Sequence, residues 1–278
     1  MPEVELKHAE GLAYREAVPD GVAPEDPPAA LLVHGYPQSS YMWRDLLGAI
    51  ADAGWRAVAP DMEGFGDSPP FREGTWERHV DSLERFRQAV GLDPVVLIVH
   101  DWGGLIGLRW ACEHPDAVFG LVLSNTGFFP DGKWHGMGKT LRTEGEGEQA
   151  LENMTKELFA TTLQRSAPGI DDAAVDEYWK AFADGQRRQG QLDLYRSGDF
   201  EKIERYQPQL RALDVPALIF WGAEDQFAPV AGAYRFQQEL SNTKLSVVEG
   251  CGHFVFEDAP ERAASEVTAF LTELSATG

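Results

Sequence analysis

Short, mostly apolar runs recur along the chain, separated by stretches in which apolar positions repeat every three or four residues. The runs are AALLVH (Ala29–His34), RAVAP (Arg56–Pro60), VVLIVH (Val95–His100), VFGLVLS (Val118–Ser124), PALIFWG (Pro216–Gly222) and KLSVVE (Lys244–Glu249). Most lack the polar alternation of a half-exposed strand, which predicts strands covered on both faces. Helical periodicity falls at Tyr41–Ala53, Trp76–Val90, Gly104–Glu113, Val230–Leu240 and Pro260–Leu274. Strand alternating with helix builds right-handed crossovers and predicts an α/β fold with a mostly parallel central sheet flanked by helices.

The alternation breaks between Gly127 and Tyr206, where the pattern is helical, no strand is evident and the opening is rich in glycine. A segment of this kind, set between two strands of one sheet, reads as an inserted helical cap over their carboxyl ends. Residues 1–126 and 207–278 are then expected to form the core domain and 127–206 the cap. Within the cap, TEGEGEQ (Thr143–Gln149) reads as a mobile, solvated loop or the start of a helix.

Composition narrows the function. Of 278 residues, 43% are hydrophobic and 25% charged, near the globular average. Against 24 Lys and Arg stand 45 Asp and Glu, giving a formal charge of −21; phosphate backbones and anionic lipid would repel such a surface, so neither a nucleic-acid nor a membrane partner is expected. No apolar run approaches the roughly 18–20 residues that span a bilayer, and MPEVELKHAEG lacks the zones of a signal peptide. Cys112 and Cys251 are then read as reduced thiols. The expectation is a cytoplasmic acidic enzyme, a monomer or homodimer.

Chemistry concentrates where runs end. VVLIVH leads into Asp101-Trp102-Gly103-Gly104 and then a helical pattern, the strand–turn–helix arrangement that lifts a nucleophile above a sheet. An aspartate there is already ionised and suits displacement at an sp³ carbon, giving an ester that water can cleave; its structural alternative is an N-cap. After AALLV comes His34-Gly35-Tyr36-Pro37, a turn able to aim the Tyr36 N–H beside that of Trp102 as an oxyanion hole. Asp225 in WGAEDQFAP and His253 in GCGHFVFEDAP each follow a later strand and reach the same edge. His253 is read as the base for water and Asp225, in preference to Glu224, as the acid that orients it. His34 and His100 are expected to hydrogen-bond locally. No Cys/His cluster has metal-ligand spacing.

The order HGYP, APDMEGFGDS, HDWGG, a later acid and GHF resembles the α/β-hydrolase superfamily, and within it the Asp-nucleophile branch of epoxide hydrolases, haloalkane dehalogenases and haloacetate dehalogenases. The resemblance runs from about Ala29 to Leu274 and implies an α/β-hydrolase core, a helical cap, no cofactor, and a small apolar organic substrate consumed with water.

These chemistries differ in what stabilises the leaving atom. Haloacetate dehalogenases resemble one another in an HDRGxR motif, where this chain has Trp102 and Leu105. Haloalkane dehalogenases usually carry Asn or Glu after HG, where this chain has Tyr36, and an aromatic residue there is usual for epoxide hydrolases. The stretch DEYWKAFADGQRRQGQLDLYR (Asp176–Arg196) is similar to the epoxide-hydrolase segment ending in LNWYR, which makes Tyr195 the candidate proton donor to an epoxide oxygen. The usual earlier cap tyrosine is missing; Trp134 or His135 could donate an N–H instead, and Trp102 with Trp134 could form a two-indole halide site. Phe128, Phe129, Phe159, Trp179 and Phe182 are expected to line an apolar pocket. The favoured expectation is epoxide hydrolysis, with haloalkane dehalogenation the alternative, then haloacetate dehalogenation or a non-catalytic ligand-binding relative.

Overall fold

Each of the six predicted strands forms, with ends shifted by at most one residue, in a computed structural model that describes residues 2–71 and 73–277. In chain order the strands are β1 (Glu5–Ala9), β2 (Leu12–Ala17), β3 (Ala29–Val33), β4 (Arg56–Pro60), β5 (Val95–His100), β6 (Val118–Ser124), β7 (Ala217–Gly222) and β8 (Thr243–Val248). They make one sheet in the order β1-β2-β4-β3-β5-β6-β7-β8, parallel from β4 to β8. β3, β5 and β7 are buried at every position, as unbroken apolar runs require.

The β1–β2 hairpin was not expected. It pairs antiparallel onto the sheet through β2 and β4, turning at Glu10 and Gly11, both at positive φ. β1 reads ELKHA and is an edge strand with no fully buried residue, so it carries no hydrophobic signal, as suits an edge protected from further pairing.

Matched registers bring the working strands to one finishing line. Leu31 pairs with Leu97, Leu97 with Leu121, and Leu121 with Ala217, so β3, β5, β6, β7 and β8 all end at the same edge. Helices α1 (Arg44–Asp52), α2 (Trp76–Ala89) and α3 (Trp102–Glu113) follow β3, β4 and β5. Cys112 and Cys251 are buried and unpaired. No described helix is long and apolar enough to cross a membrane.

Between β6 and β7 the described chain is helical: α4 (Gly136–Arg142), α5 (Glu146–Glu152), α6 (Lys156–Ser166), α7 (Asp172–Trp179), α8 (Gly185–Ser197) and α9 (Gln207–Ala212). TEGEGEQ resolves as the start of α5, where the Glu148 carboxylate accepts from Gly145 N at 2.7 Å. Beyond β7 come α10 (Ala231–Glu239), α11 (Val255–Asp258) and α12 (Pro260–Thr277). Polar contacts fasten the helical segment to loops beyond the sheet edge: Lys180 to Asp67 at 2.9 Å, Ser197 Oγ to Trp76 N at 2.8 Å, and Arg187 to Gly64 O at 2.9 Å.

One fastening is buried. The Glu257 carboxylate of α11 accepts from Tyr178 of α7, from Gln38 Nε2 at 3.2 Å and from Arg44 at 2.9 Å. Burial pushes its pKa up, with Arg44 opposing. Removing it leaves a cation and two polar groups without their acceptor, so Glu257→Ala is expected to cost about 3 kcal/mol in urea unfolding. A cost below about 1 kcal/mol, the range of an exposed ion pair, would show that the network does not hold α7 to the core.

Candidate active site

β5 ends at His100 and α3 begins at Trp102, leaving Asp101 to turn the chain at φ 48° and ψ −122°. A non-glycine residue at positive φ is strained, and such strain persists only where its surroundings impose it. They do: a Cβ on Gly103 would stand 2.0 Å from Val33 O, and one on Gly35 2.4 Å from Asp101 Cβ. Small residues there let α3 and the HGYP turn close onto the bend. Asp101 occupies the N-cap position of α3 but makes no side-chain cap bond. Its Oδ1 accepts from Tyr36 N at 2.7 Å, with the Trp102 N–H also bonding the carboxylate. Its Oδ2 lies 3.5 Å from His253 Nε2.

His253 follows β8, and its Nδ1 lies 2.8 Å from Asp225 Oδ2. Because a buried carboxylate accepts only, Nδ1 carries the proton and Nε2 faces Asp101. Asp225 is fixed on every side. Oδ1 accepts from Phe227 N at 2.7 Å and Ala228 N at 2.9 Å, while Oδ2 also accepts from Asn125 Nδ2 at 2.7 Å. Glu224, the competing acid, is exposed.

Charge in this chain of three groups is set by burial and by mutual attraction. Burial opposes ionisation of Asp101, but the hydrogen bond and charge of His253 outweigh it and hold the carboxyl down at about 2. Burial would likewise discharge His253, yet the two flanking carboxylates raise its pKa well above the usual range. Both shifts favour an imidazolium between two carboxylates. His34 bonds locally, as expected: Met62 N donates to its Nε2 at 2.9 Å, which leaves Nδ1 to donate to Gly35 O at 2.9 Å. His100 does not. Neither ring nitrogen has a hydrogen-bond partner among the described residues; burial, then the neighbouring His253, push its pKa down to about 3, and the two rings lie 4.8 Å apart.

Asp101 and His253 open into a mostly apolar cavity. Its walls include Tyr36, Tyr195, Phe159, Phe182, Leu163 and Phe254, and among the described residues no Lys or Arg lines it. Tyr195 of α8 is buried, its ring edge-on to Tyr36 at 5.1 Å and to Trp102 at 5.0 Å. Burial first, then the Asp101 charge, push its pKa far up, so the hydroxyl keeps its proton beside the carboxylate. The Tyr36 hydroxyl is committed to Gln191 Oε1 at 2.9 Å. His135 lines the cavity, with Nδ1 accepting from Gly138 N at 3.2 Å, which leaves Nε2–H as its donor; burial lowers its pKa. Trp134 lies outside this cavity, stacked on Trp102 at 5.6 Å and facing an adjoining space that also touches Asp101.

Three of the five expected pocket aromatics are placed elsewhere. Phe128 is buried near Tyr206, Phe129 packs on Phe236 at 4.7 Å, and Trp179 stacks behind Phe182 at 5.0 Å. An aromatic residue in the helical segment can fill the seam with the core as readily as line a pocket, and the linear pattern is the same.

Residues 28–260 match the protein family described as alpha/beta hydrolase fold. The chain belongs to that family. It is 29% identical over 269 residues to the cis-3-alkyl-4-alkyloxetan-2-one decarboxylase of Xanthomonas campestris, covering 89% of each chain. It is 28% identical over 263 residues to a haloalkane dehalogenase of Psychrobacter cryohalolentis, covering 89% of this chain and 84% of that one. Among solved structures, haloalkane dehalogenase DbeA from Bradyrhizobium elkani aligns over 100% of both chains with a TM-score of 0.84 at 23% identity. Epoxide hydrolase VrEH1 from Vigna radiata aligns over 98% of both with a TM-score of 0.78 at 20% identity. At those identities the two structures speak for the fold alone, and the curated relatives for a hydrolase of this family.

Sequence reasoning about this α/β-hydrolase missed Asn125. It follows β6 directly, sits at φ 44°, and bonds Asp225; a polar residue after a buried strand was the signal that singled out Asp101 and Asp225. It also missed Gln191, which holds the Tyr36 hydroxyl, and Phe227, which lines the cavity. Neither has a linear signature, since each matters through partners far away in the chain.

Proposed function

We propose that this α/β-hydrolase opens a small apolar epoxide to a diol through a covalent ester on Asp101. The observation that carries the reading is Tyr195, whose buried phenol lines the cavity of Asp101 and is held protonated there by burial and by the neighbouring carboxylate. Asp101 Oδ2, the oxygen not held by Tyr36 N–H, attacks a ring carbon; the C–O bond breaks and the ring oxygen takes the Tyr195 proton. Esterification removes the Asp101 charge, one of the two that keep His253 protonated, so the imidazolium can return a proton to the tyrosinate and become a base. It then activates water, while the Tyr36 and Trp102 N–H groups hold the developing oxyanion. The water supplies one proton to the departing alkoxide and one to His253, restoring the starting state. Segment 127–206 serves as a lid domain that keeps bulk water from the carboxylate.

The oxetan-2-one in one relative's name is another strained oxygen ring. A second reading, haloalkane dehalogenation, is favoured by the other relative's name and by the stacked Trp102–Trp134 pair. It requires a halide to accept from those indole N–H groups. A haloacetate fits poorly, since among the described residues no Lys or Arg lines the cavity to hold its carboxylate. The deciding experiment scores diol from styrene oxide against bromide from 1,2-dibromoethane, with wild type and Asp101→Asn in parallel. Diol in excess, lost in the variant, is expected. Bromide in excess overturns the assignment, and neither product would leave a binding protein.

A further inference from the structure

Three open spaces meet at the nucleophile and base, and one side chain borders all of them. Phe227 lines the apolar cavity, the adjoining space beside Trp102 and Trp134, and a polar cleft on the far side of His253. Its backbone N–H is held by Asp225 at 2.7 Å, which ties its main chain to the acid that orients His253. The ring meets His253 edge-on at 5.1 Å and His135 at 5.0 Å, yet is 37% exposed, unusual for an aromatic against a buried base. The polar cleft is lined by Arg165, Ser166, Glu224, Gln226, Asp258 and His253. Asp101 and Tyr195 do not border it, whereas His253, Ser166 and Phe227 border both it and the apolar cavity.

The two steps of the proposed reaction ask opposite things of solvent. A carboxylate attacks better with water excluded, but the ester then needs a water at His253 while an apolar alkyl group fills the cavity. We propose that the polar cleft of Arg165, Ser166, Glu224, Gln226 and Asp258 is the route by which the hydrolytic water reaches His253, and that Phe227 is the wall between that route and the apolar cavity filled by substrate. This rests on the ester reading above. Phe227 is thus a positioning residue for solvent, not a catalytic one.

The test is rapid-quench kinetics on the full chain with styrene oxide, separating ester formation from ester breakdown. Gln226 and Arg165 are exposed and border only the cleft. Gln226→Trp combined with Arg165→Trp is expected to slow breakdown about tenfold while leaving ester formation within about twofold, so that ester accumulates. Adding Phe227→Ala to the plugged protein opens a second path and is expected to restore breakdown, at the cost of slower ester formation. Unchanged breakdown in the plugged variant, or no rescue by Phe227→Ala, overturns the route while the ester reading stands. Absence of any ester, in wild type and in a base-deleted variant alike, overturns the ester reading itself and the route with it.

Discussion

His253→Gln is expected to stop the enzyme halfway, with substrate attached to Asp101. Attack needs only the carboxylate; with His253 gone the N–H groups of Tyr36 and Trp102 still favour its charged form, and glutamine can still fill the site beside Asp225. Breakdown of the ester needs a base for water, and general-base catalysis contributes about 10² to 10⁴ in rate. The ester should therefore outlive the assay. Intact mass should rise by one substrate, and the added mass should map to the peptide containing Asp101. Wild type under the same exposure should show little, because it turns over. An unmodified Asp101 peptide in the variant, after exposure sufficient for many wild-type turnovers, is the outcome that excludes covalent catalysis here. Asp225 and Asn125 enter the same forecast, since Asp225 holds the ring that the variant removes and Asn125 holds Asp225.

Tyr195→Phe separates the two substrate readings. The variant keeps the ring and its packing on Tyr36 and Trp102 and removes only the proton donor. Epoxide opening leaves an alkoxide that must be protonated, so diol formation is expected to fall about 10² to 10³-fold. A halide leaves without a proton, so bromide release is expected to stay within about threefold. Because the ring and its packing are kept, the melting temperature is expected to hold, and a thermal melt of the variant checks that the change is chemical. Equal loss of both activities at an unaltered melting temperature would make Tyr195 structural and remove the main support for epoxide opening.

The fold was largely legible because its signal is local. A strand buried on both faces needs an unbroken apolar run, and β3, β5, β6 and β7 each supply one. β1 was not legible, since an edge strand half in solvent asks nothing of ELKHA. Asp101, Asp225 and His253 were legible for a related reason: each stands where a buried run gives way to polar sequence, and parallel strands end together. The cap was not. Phe128, Phe159 and Trp179 look alike in the chain, and which of them meets a cavity depends on how helices from distant positions settle against the core.

By itself the sequence determined the parallel sheet, the edge at which its chemistry gathers, and an aspartate where a nucleophile is lifted from the strand, because buried runs and their breaks are properties of neighbouring residues. Only the tertiary structure decided that His253 lies between two carboxylates, that Asn125 steadies one of them, that Tyr195 packs edge-on to Trp102 at the cavity of Asp101, and that Phe227 borders both that cavity and a polar cleft. Those are relations between residues far apart in the chain, fixed by strand register and helix packing, and they leave no mark on the sequence around any one of them.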